Sequence, residues 1–364
     1  MHEELSGVRI MAYTTIDDPS AYFQTALWTG NGSTQSITND GNLDLQPDWI
    51  WTKRRDGDGQ NHHAIDSSRG ASKALVVNDT DAEATKSNGI TAFNSDGFSV
   101  GTDTNFNNNT TTYVAWQWKA NGGTTSTDTN GSQDSTVQVN STAGFSIVKR
   151  TGTGSAGATY GHGLGAVPDV IINKGLNSNE WYSYFKAIGG GTHWMNLDGT
   201  NAAIDDANMW HDTDATSTVF TVGNSGGSNG SGVEYIAYCF TEIQGYSKFG
   251  KYVGNGTSSS ADFDGPFVYT GFEPAWIMTK RSSTSGGSWA IVDNKRDTTN
   301  PTQIALFANT NGADDTDKKV DFLSNGFKLR NSRDDFNTDG VTYVYMAFAE
   351  HPFVSSEGVP VTAK

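Results

Sequence analysis

The sequence predicts an all-β chain made of three tandem antiparallel β-sandwich repeats of the jelly-roll-like kind, and three observations carry that expectation. Glycine, at 42 of 364 residues, exceeds the usual share of ~7%, and an aromatic content of 11% sets bulky anchors between those flexible points. No window sustains an apolar period of 3.6, so helices should be scarce. One unit of sequence also recurs three times in the same order, the signature of a repeat architecture.

The recurrence has four landmarks. Gly30-Asn-Gly32, Gly152-Thr-Gly154 and Gly254-Asn-Gly256 open each copy. Next comes a proline, an apolar run and a lysine: Pro47-Asp-Trp-Ile-Trp-Thr-Lys53, Pro168-Asp-Val-Ile-Ile-Asn-Lys174 and Pro274-Ala-Trp-Ile-Met-Thr-Lys280. This reads as a central strand with proline at its first position, where a missing N–H is tolerated. Phe98, Phe220 and Phe327 follow at 51, 52 and 53 residues from their prolines. A closing segment ends each copy: Tyr113 to Trp118, Tyr235 to Phe240 and Tyr343 to Phe348. Its period of two places Val114, Trp116 and Trp118 on one face and Tyr113, Ala115 and Gln117 on the other, as in a strand buried on both sides. Asn-Gly, Asp-Gly and Gly-Gly pairs between short β-prone stretches suit hairpin turns.

The expected organisation is an N-terminal arm (1–21), a first sandwich (22–120), a low-complexity linker (121–144), a second sandwich (145–244), a third (245–353) and a C-terminal tail (354–364). Each sandwich is expected to bury its own core.

The net charge of −16 repels phosphate backbones and anionic lipid, so nucleic-acid binding and membrane insertion are not expected. A single cysteine, Cys239, rules out an intrachain disulfide and any Cys-rich zinc site. The first 20 residues hold acids where a signal peptide carries bases.

Catalytic chemistry has little to stand on. The paired acids Asp205-Asp206, Asp212/Asp214, Asp314-Asp315 and Asp334-Asp335 lie in Asn/Gly/Thr-rich turns, whereas a glycosidase needs two carboxylates facing each other across a cleft. Asp56-Gly-Asp58-Gly-Gln-Asn61 departs from EF-hand spacing, and no histidine pattern matches a zinc site. No catalytic residue, metal site or cofactor is therefore expected. Recurring aromatics read as core. Trp181, Tyr182, Tyr184, Trp194 and Trp210 are peculiar to the middle copy, and they are the candidate ligand-binding residues, with core packing and a subunit interface as competing roles.

Several strings have a familiar look: Gly161-His-Gly-Leu-Gly165, Gly245-Tyr-Ser-Lys-Phe-Gly250, Phe322-Leu-Ser-Asn-Gly-Phe-Lys-Leu329 and Met346-Ala-Phe-Ala-Glu-His-Pro-Phe353. From Met11 onward the chain resembles repetitive virion proteins of marine bacteriophages and cyanophages, described as tail-fibre-like or capsid-fibre-like and largely of unknown function. The resemblance implies a non-enzymatic virion structural protein, a tail fibre or capsid-attached fibre contributing to host-surface attachment. It would be assembled in the host cytoplasm. The implied partners are the chain itself as a homo-oligomer, a trimer being favoured, other virion proteins and a host-surface glycan. A carbohydrate-binding lectin and a host polysaccharide depolymerase are the alternatives.

Overall fold

The computed structural model describes residues 12–257 and 264–361; part of the expected arm (1–11) and the end of the tail (362–364) lie outside them. The first third contains β1 (Phe23–Thr29), β2 (Gln35–Ile37), β3 (Trp49–Arg54), β4 (His63–Asp66), β5 (Lys73–Val76), β6 (Ala84–Thr85), β7 (Ile90–Phe93), β8 (Phe98–Val100) and β9 (Thr112–Trp118). The middle contains β10 (Ser126–Asp128), β11 (Ser135–Asn140), β12 (Phe145–Thr151), β13 (Ala158–Gly161), β14 (Val170–Gly175), β15 (Trp181–Phe185), β16 (His193–Asn196), β17 (Ile204–Asp205), β18 (Val219–Val222) and β19 (Glu234–Phe240). The last contains β20 (Ser247–Val253), β21 (Phe267–Tyr269), β22 (Phe272–Arg281), β23 (Ala290–Asp293), β24 (Leu306–Phe307), β25 (Val320–Leu323), β26 (Gly326–Leu329) and β27 (Thr342–Pro352). Described helices are single turns, so the protein is all-β, and its named strands pair antiparallel.

Three large sheets share one strand order. They run β1-β9-β3-β4-β5-β6, then β10-β11-β12-β19-β14-β15-β16-β17, then β20-β27-β22-β23-β24. Each faces a small sheet: β2-β8-β7, β13-β18 and β21-β26-β25. The closing segment lies between the segment that opens each copy and the Pro-led strand, which is why it is apolar on both faces. Tyr113 and Ala115 of β9 point to the small sheet, with Phe98 and Phe106. Val114, Trp116 and Trp118 point the other way.

That second face overturns one expectation. The copies do not each bury a core of their own alone: the largest apolar cluster is shared by all three large sheets. Trp49 stacks on Trp118 at 4.4 Å and on Tyr238 at 4.3 Å, while Phe23 stacks on Phe348 at 5.2 Å and Trp118 meets Trp276 edge-on at 5.8 Å. Residues from positions 23 to 348 thus meet in one close-packed centre. Three smaller clusters lie between each large sheet and its small one.

Residues 121–144 are not a free linker either. They carry β10 and β11, and β11 extends the middle sheet by pairing with β12, Val137 opposite Val148. Low apolar content misleads here because β11 buries polar side chains, Ser135 and Gln138, beside Val137. Pro274 also departs from the first-position expectation: it lies inside β22, at a register shift opposite β27, where a bulge removes the need for its N–H. The described part of the arm is docked, with Thr14 Oγ1 donating to the Gln244 carbonyl at 2.8 Å and Tyr13 Oη to that of Gly271 at 2.7 Å.

Candidate functional site: the junctions between the large sheets

The recurring landmarks resolve into contacts made three times over. A tyrosine is the second residue of each closing strand, and its hydroxyl ties down the loop before it. Tyr113, Tyr235 and Tyr343 donate to the carbonyls of Thr104, Gly226 and Asp334 and accept from the N–H groups of Asn108, Gly230 and Thr338. Six residues before each tyrosine is a fully buried asparagine. Asn107, Asn229 and Asn337 accept from the backbone N–H of Asn31, Thr153 and Asn255, the middle residues of the Gly-x-Gly segments, and donate to Gly101, Gly223 and Asn331. The Gly-x-Gly segment is needed because a Cβ on Gly30, Gly152 or Gly254 would sit 2.1–2.3 Å from a carbonyl oxygen. The asparagine had a sequence signal, its fixed spacing to the tyrosine, which the reading of the sequence missed.

The lysine that ends each Pro-led segment reaches a junction. Lys174 Nζ donates to the carbonyls of Thr80, in the first third, and Asn179. Lys280 Nζ donates to those of Thr200 and Asn201 in the middle third, and to Arg281 and Gly286. Lys53 Nζ donates to the Arg54 carbonyl at 2.6 Å, near Asp314 of the last third. Burial pushes each of the three ammonium groups down to about 8.

Two of the three junctions also hold a buried ion pair. Asp66 and Arg69 meet at 2.6 Å and Asp293 and Arg296 at 2.6 Å, with all four side chains essentially without exposure. Each arginine takes a second carboxylate, Glu83 at 3.1 Å and Asp314 at 2.9 Å. Each aspartate accepts from the closing strand of a neighbouring large sheet, Asp66 from Tyr238 Oη at 2.7 Å and Asp293 from Trp116 Nε1 at 3.0 Å. Burial opposes charge on Arg69, but Asp66 and Tyr238 hold its guanidinium above the usual value. The corresponding place in the middle sheet belongs to Phe185, which stacks on Trp289 at 5.8 Å. Arg150, in the middle third, is buried without a carboxylate, between Tyr160 and Tyr235 at 4.6 and 4.5 Å, and burial pushes it down to about 10.

The five candidate ligand-binding aromatics do not form an exposed stacking surface. Trp181, Tyr184 and Trp210 are at most 1% exposed, Tyr182 is 9% exposed and Trp194 is half-buried. Trp181 belongs to the shared centre and its Nε1 donates to the Val76 carbonyl across the junction at 2.7 Å. The other four pack between the middle large and small sheets. These rings lie on strands and a helical turn whose inward positions they fill, which is the core-packing role among the three considered for them. Exposed rings occur instead in the last third, at Phe267 (44%) and Tyr269 (53%).

Several of the acids singled out in the sequence are engaged. Asp206 caps a helical turn, Asp214 accepts from Gly191 N–H, and Asp314 pairs with Arg55 and Arg296. Asp56 accepts from Thr112 N–H, and Asp58 from Ala313 N–H across a junction. Among the described residues, no three His, Cys, Asp or Glu side chains are grouped to hold a metal ion. A polar cleft of about 350 Å³ lies between the first and last thirds, lined by Phe23, Gln24 and Thr25 on one side and Ala275, Asn294 and Lys295 on the other.

No curated protein and no solved structure matches the chain. One family model, described as a domain of unknown function, matches residues 18–352 and so takes in all three large sheets together with the junctions between them. A single match spanning almost the whole length means that the chain belongs to the DUF7483 family.

Proposed function

We propose that the chain is a non-enzymatic structural protein of a phage virion, a tail fibre or capsid-attached fibre that contributes to host-surface attachment. In this reading each large sheet and its small sheet form one jelly-roll-like sandwich unit, three in tandem. The chain assembles in the host cytoplasm with other virion proteins and with itself, a trimer being the favoured state. The observation that carries the reading is that the recurring polar residues, the tyrosines, asparagines and lysines, are all spent on internal contacts. A scaffold whose repeated chemistry is structural leaves its variable loops free for recognition. The rest of the support is the resemblance of the chain's sequence motifs to those of phage fibre-like proteins. Mass spectrometry of purified particles, with antibody labelling under the electron microscope, tests it: the chain should be present in stoichiometric amount, and its absence from particles sinks the proposal.

A lectin is the second reading, favoured by the exposed Phe267 and Tyr269 rings and no longer by Trp181. Binding on a glycan array that is lost in Tyr269→Ala, with melting unchanged, would support it.

A further inference from the structure

We propose that the free edge of β1 is a docking site for an extended, basic segment of another protein, added as an antiparallel strand beside the open cleft. This goes beyond the virion reading and does not depend on it.

The molecule contains its own precedent. In the middle sheet, β12 lies next to the closing strand β19, and its other edge is occupied by β11. In the first sheet β1 holds the same place beside β9, and among the described residues no strand follows it. Register shows which groups are left over. Lys119 N–H donates to the Tyr22 carbonyl and Gly30 N–H to that of Thr111. The even-numbered residues of β1 therefore bond to β9, and the N–H and C=O groups of Phe23, Thr25 and Leu27 point to the open side, where the Thr29 carbonyl already accepts from Gln35 Nε2 at 3.1 Å.

Edge strands are normally guarded by charge or proline. β1 (Phe-Gln-Thr-Ala-Leu-Trp-Thr) has neither, whereas β20, its counterpart in the last sheet, carries Lys248 and Lys251. β1 is thus the unguarded one of the two.

The cleft lies where a β11-like strand would run. At the junction of the first and middle thirds, Gln138 of β11 reaches in to bond Ser67, Ser68 and the N–H groups of Asn121 and Gly123. At the junction of the first and last thirds that space is the open cleft. Its walls hold Asp18, Asp40 and Glu350 against Lys295 and His351, and Lys295 is already paired with Asp40 at 2.7 Å. The remaining carboxylates select positive charge. A second copy of a chain at −16 is the wrong occupant. A basic strand from another protein fits both the hydrogen-bonding edge and the charge.

The test uses the full chain and two labelled nonapeptides followed by fluorescence anisotropy. One is the chain's own 133–141 segment; the other carries Asp134→Lys and Ser141→Lys. The lysine peptide should bind about tenfold tighter, as two rim charges allow. Combining Asp18→Asn with Glu350→Gln should erase that difference. Thr25→Pro removes one outward N–H at a position where an edge strand accepts proline, and should weaken both peptides about tenfold without moving the melting temperature. Leu27→Pro serves the same purpose if Thr25→Pro does not fold. The proposal is overturned if neither peptide binds at millimolar concentration, if the proline variants bind as the parent does, or if light scattering finds a dimer that Thr25→Pro dissolves.

Discussion

The junction between the first and middle thirds is filled, and the junction between the first and last is not. Both are built on the same frame: an aspartate–arginine pair at the end of a strand, bonded by a side chain from a neighbouring closing strand, Tyr238 in one and Trp116 in the other. What differs is the polar layer outside it. Asp48 accepts from the N–H groups of Ala120, Gly122 and Gly123 at the filled junction, and Gln138 closes the gap. At the open one the place equivalent to Asp48 is Ala275, which accepts nothing through its side chain. The third junction replaces the ion pair by Phe185. The frame thus tolerates ionic or apolar chemistry at one register position, and shape rather than charge is what the three junctions have in common.

The largest effect expected from disturbing this comparison comes from Asp66→Ala. It leaves Arg69, in a site without exposure, with Glu83 as its one carboxylate partner and removes the acceptor of Tyr238. Breaking a buried pair on one side costs about 3–5 kcal/mol, and urea unfolding at neutral pH should read that loss. The apolar solution of the middle sheet predicts the rescue: Asp66→Phe combined with Arg69→Ile, after Phe185 and Ile188, should regain most of it. A double variant as weak as the single one would show that the junctions are not interchangeable.

Acid should act most strongly on the first third, although burial also lowers His162 in the middle one. Where the middle and last have Trp181-Tyr182 and Trp289-Ala290, the first has His62-His63, both buried. Burial depresses His63 to about 4, and His62 well below its usual value. An unfolded histidine titrates near ~6.5. Between pH 6.5 and 4 the unfolded chain therefore binds protons that the folded one refuses. The stabilisation is complete above 6.5, declines as the pH falls through that window, and amounts to about 3 kcal/mol for His63. A stability-against-pH series on His63→Gln should show a shallower slope than the parent; equal slopes would remove the histidine from the account.

Much of this frame was legible. Landmark spacing gave three like strand sets, and period-two alternation in Tyr113–Trp118 assigned the right side chains to each face. What could not be read was where the second face goes. Alternation says that Trp116 and Trp118 are buried, but not that their partners lie more than a hundred residues away, at Asp293 and Trp276. The misplaced linker has the same origin. Val137 and Gln138 are anchored by residues of other strands, and composition counts only local side chains. For the candidate aromatics, sequence left core packing, an interface and ligand contact as competing roles; burial places them in the core, because each copy needs fillers of its own.

Gln138 gives the next effect. Gln138→Ala leaves the N–H group of Asn121 without its acceptor and Gly123 N–H with Asp48 alone, at a cost of about 1–3 kcal/mol by urea unfolding. The loss should be local, exposing the amides of 121–124 to hydrogen exchange before the shared centre opens.

The open junction should respond least. Asp40 and Lys295 form its counterpart contact, but their side chains are 65% and 38% exposed. Solvent and salt screen such a pair, and long side chains give up entropy to hold it, so Asp40→Asn should change stability by less than about 1 kcal/mol, vanishing at high salt. The ratio between the Gln138 and Asp40 losses therefore measures how far the two junctions differ. If Asp40→Asn costs as much as Gln138→Ala, the cleft is a structural seam held by its ion pair. If the two differ as expected, the cleft contributes little to holding the thirds together and is free to accept a strand.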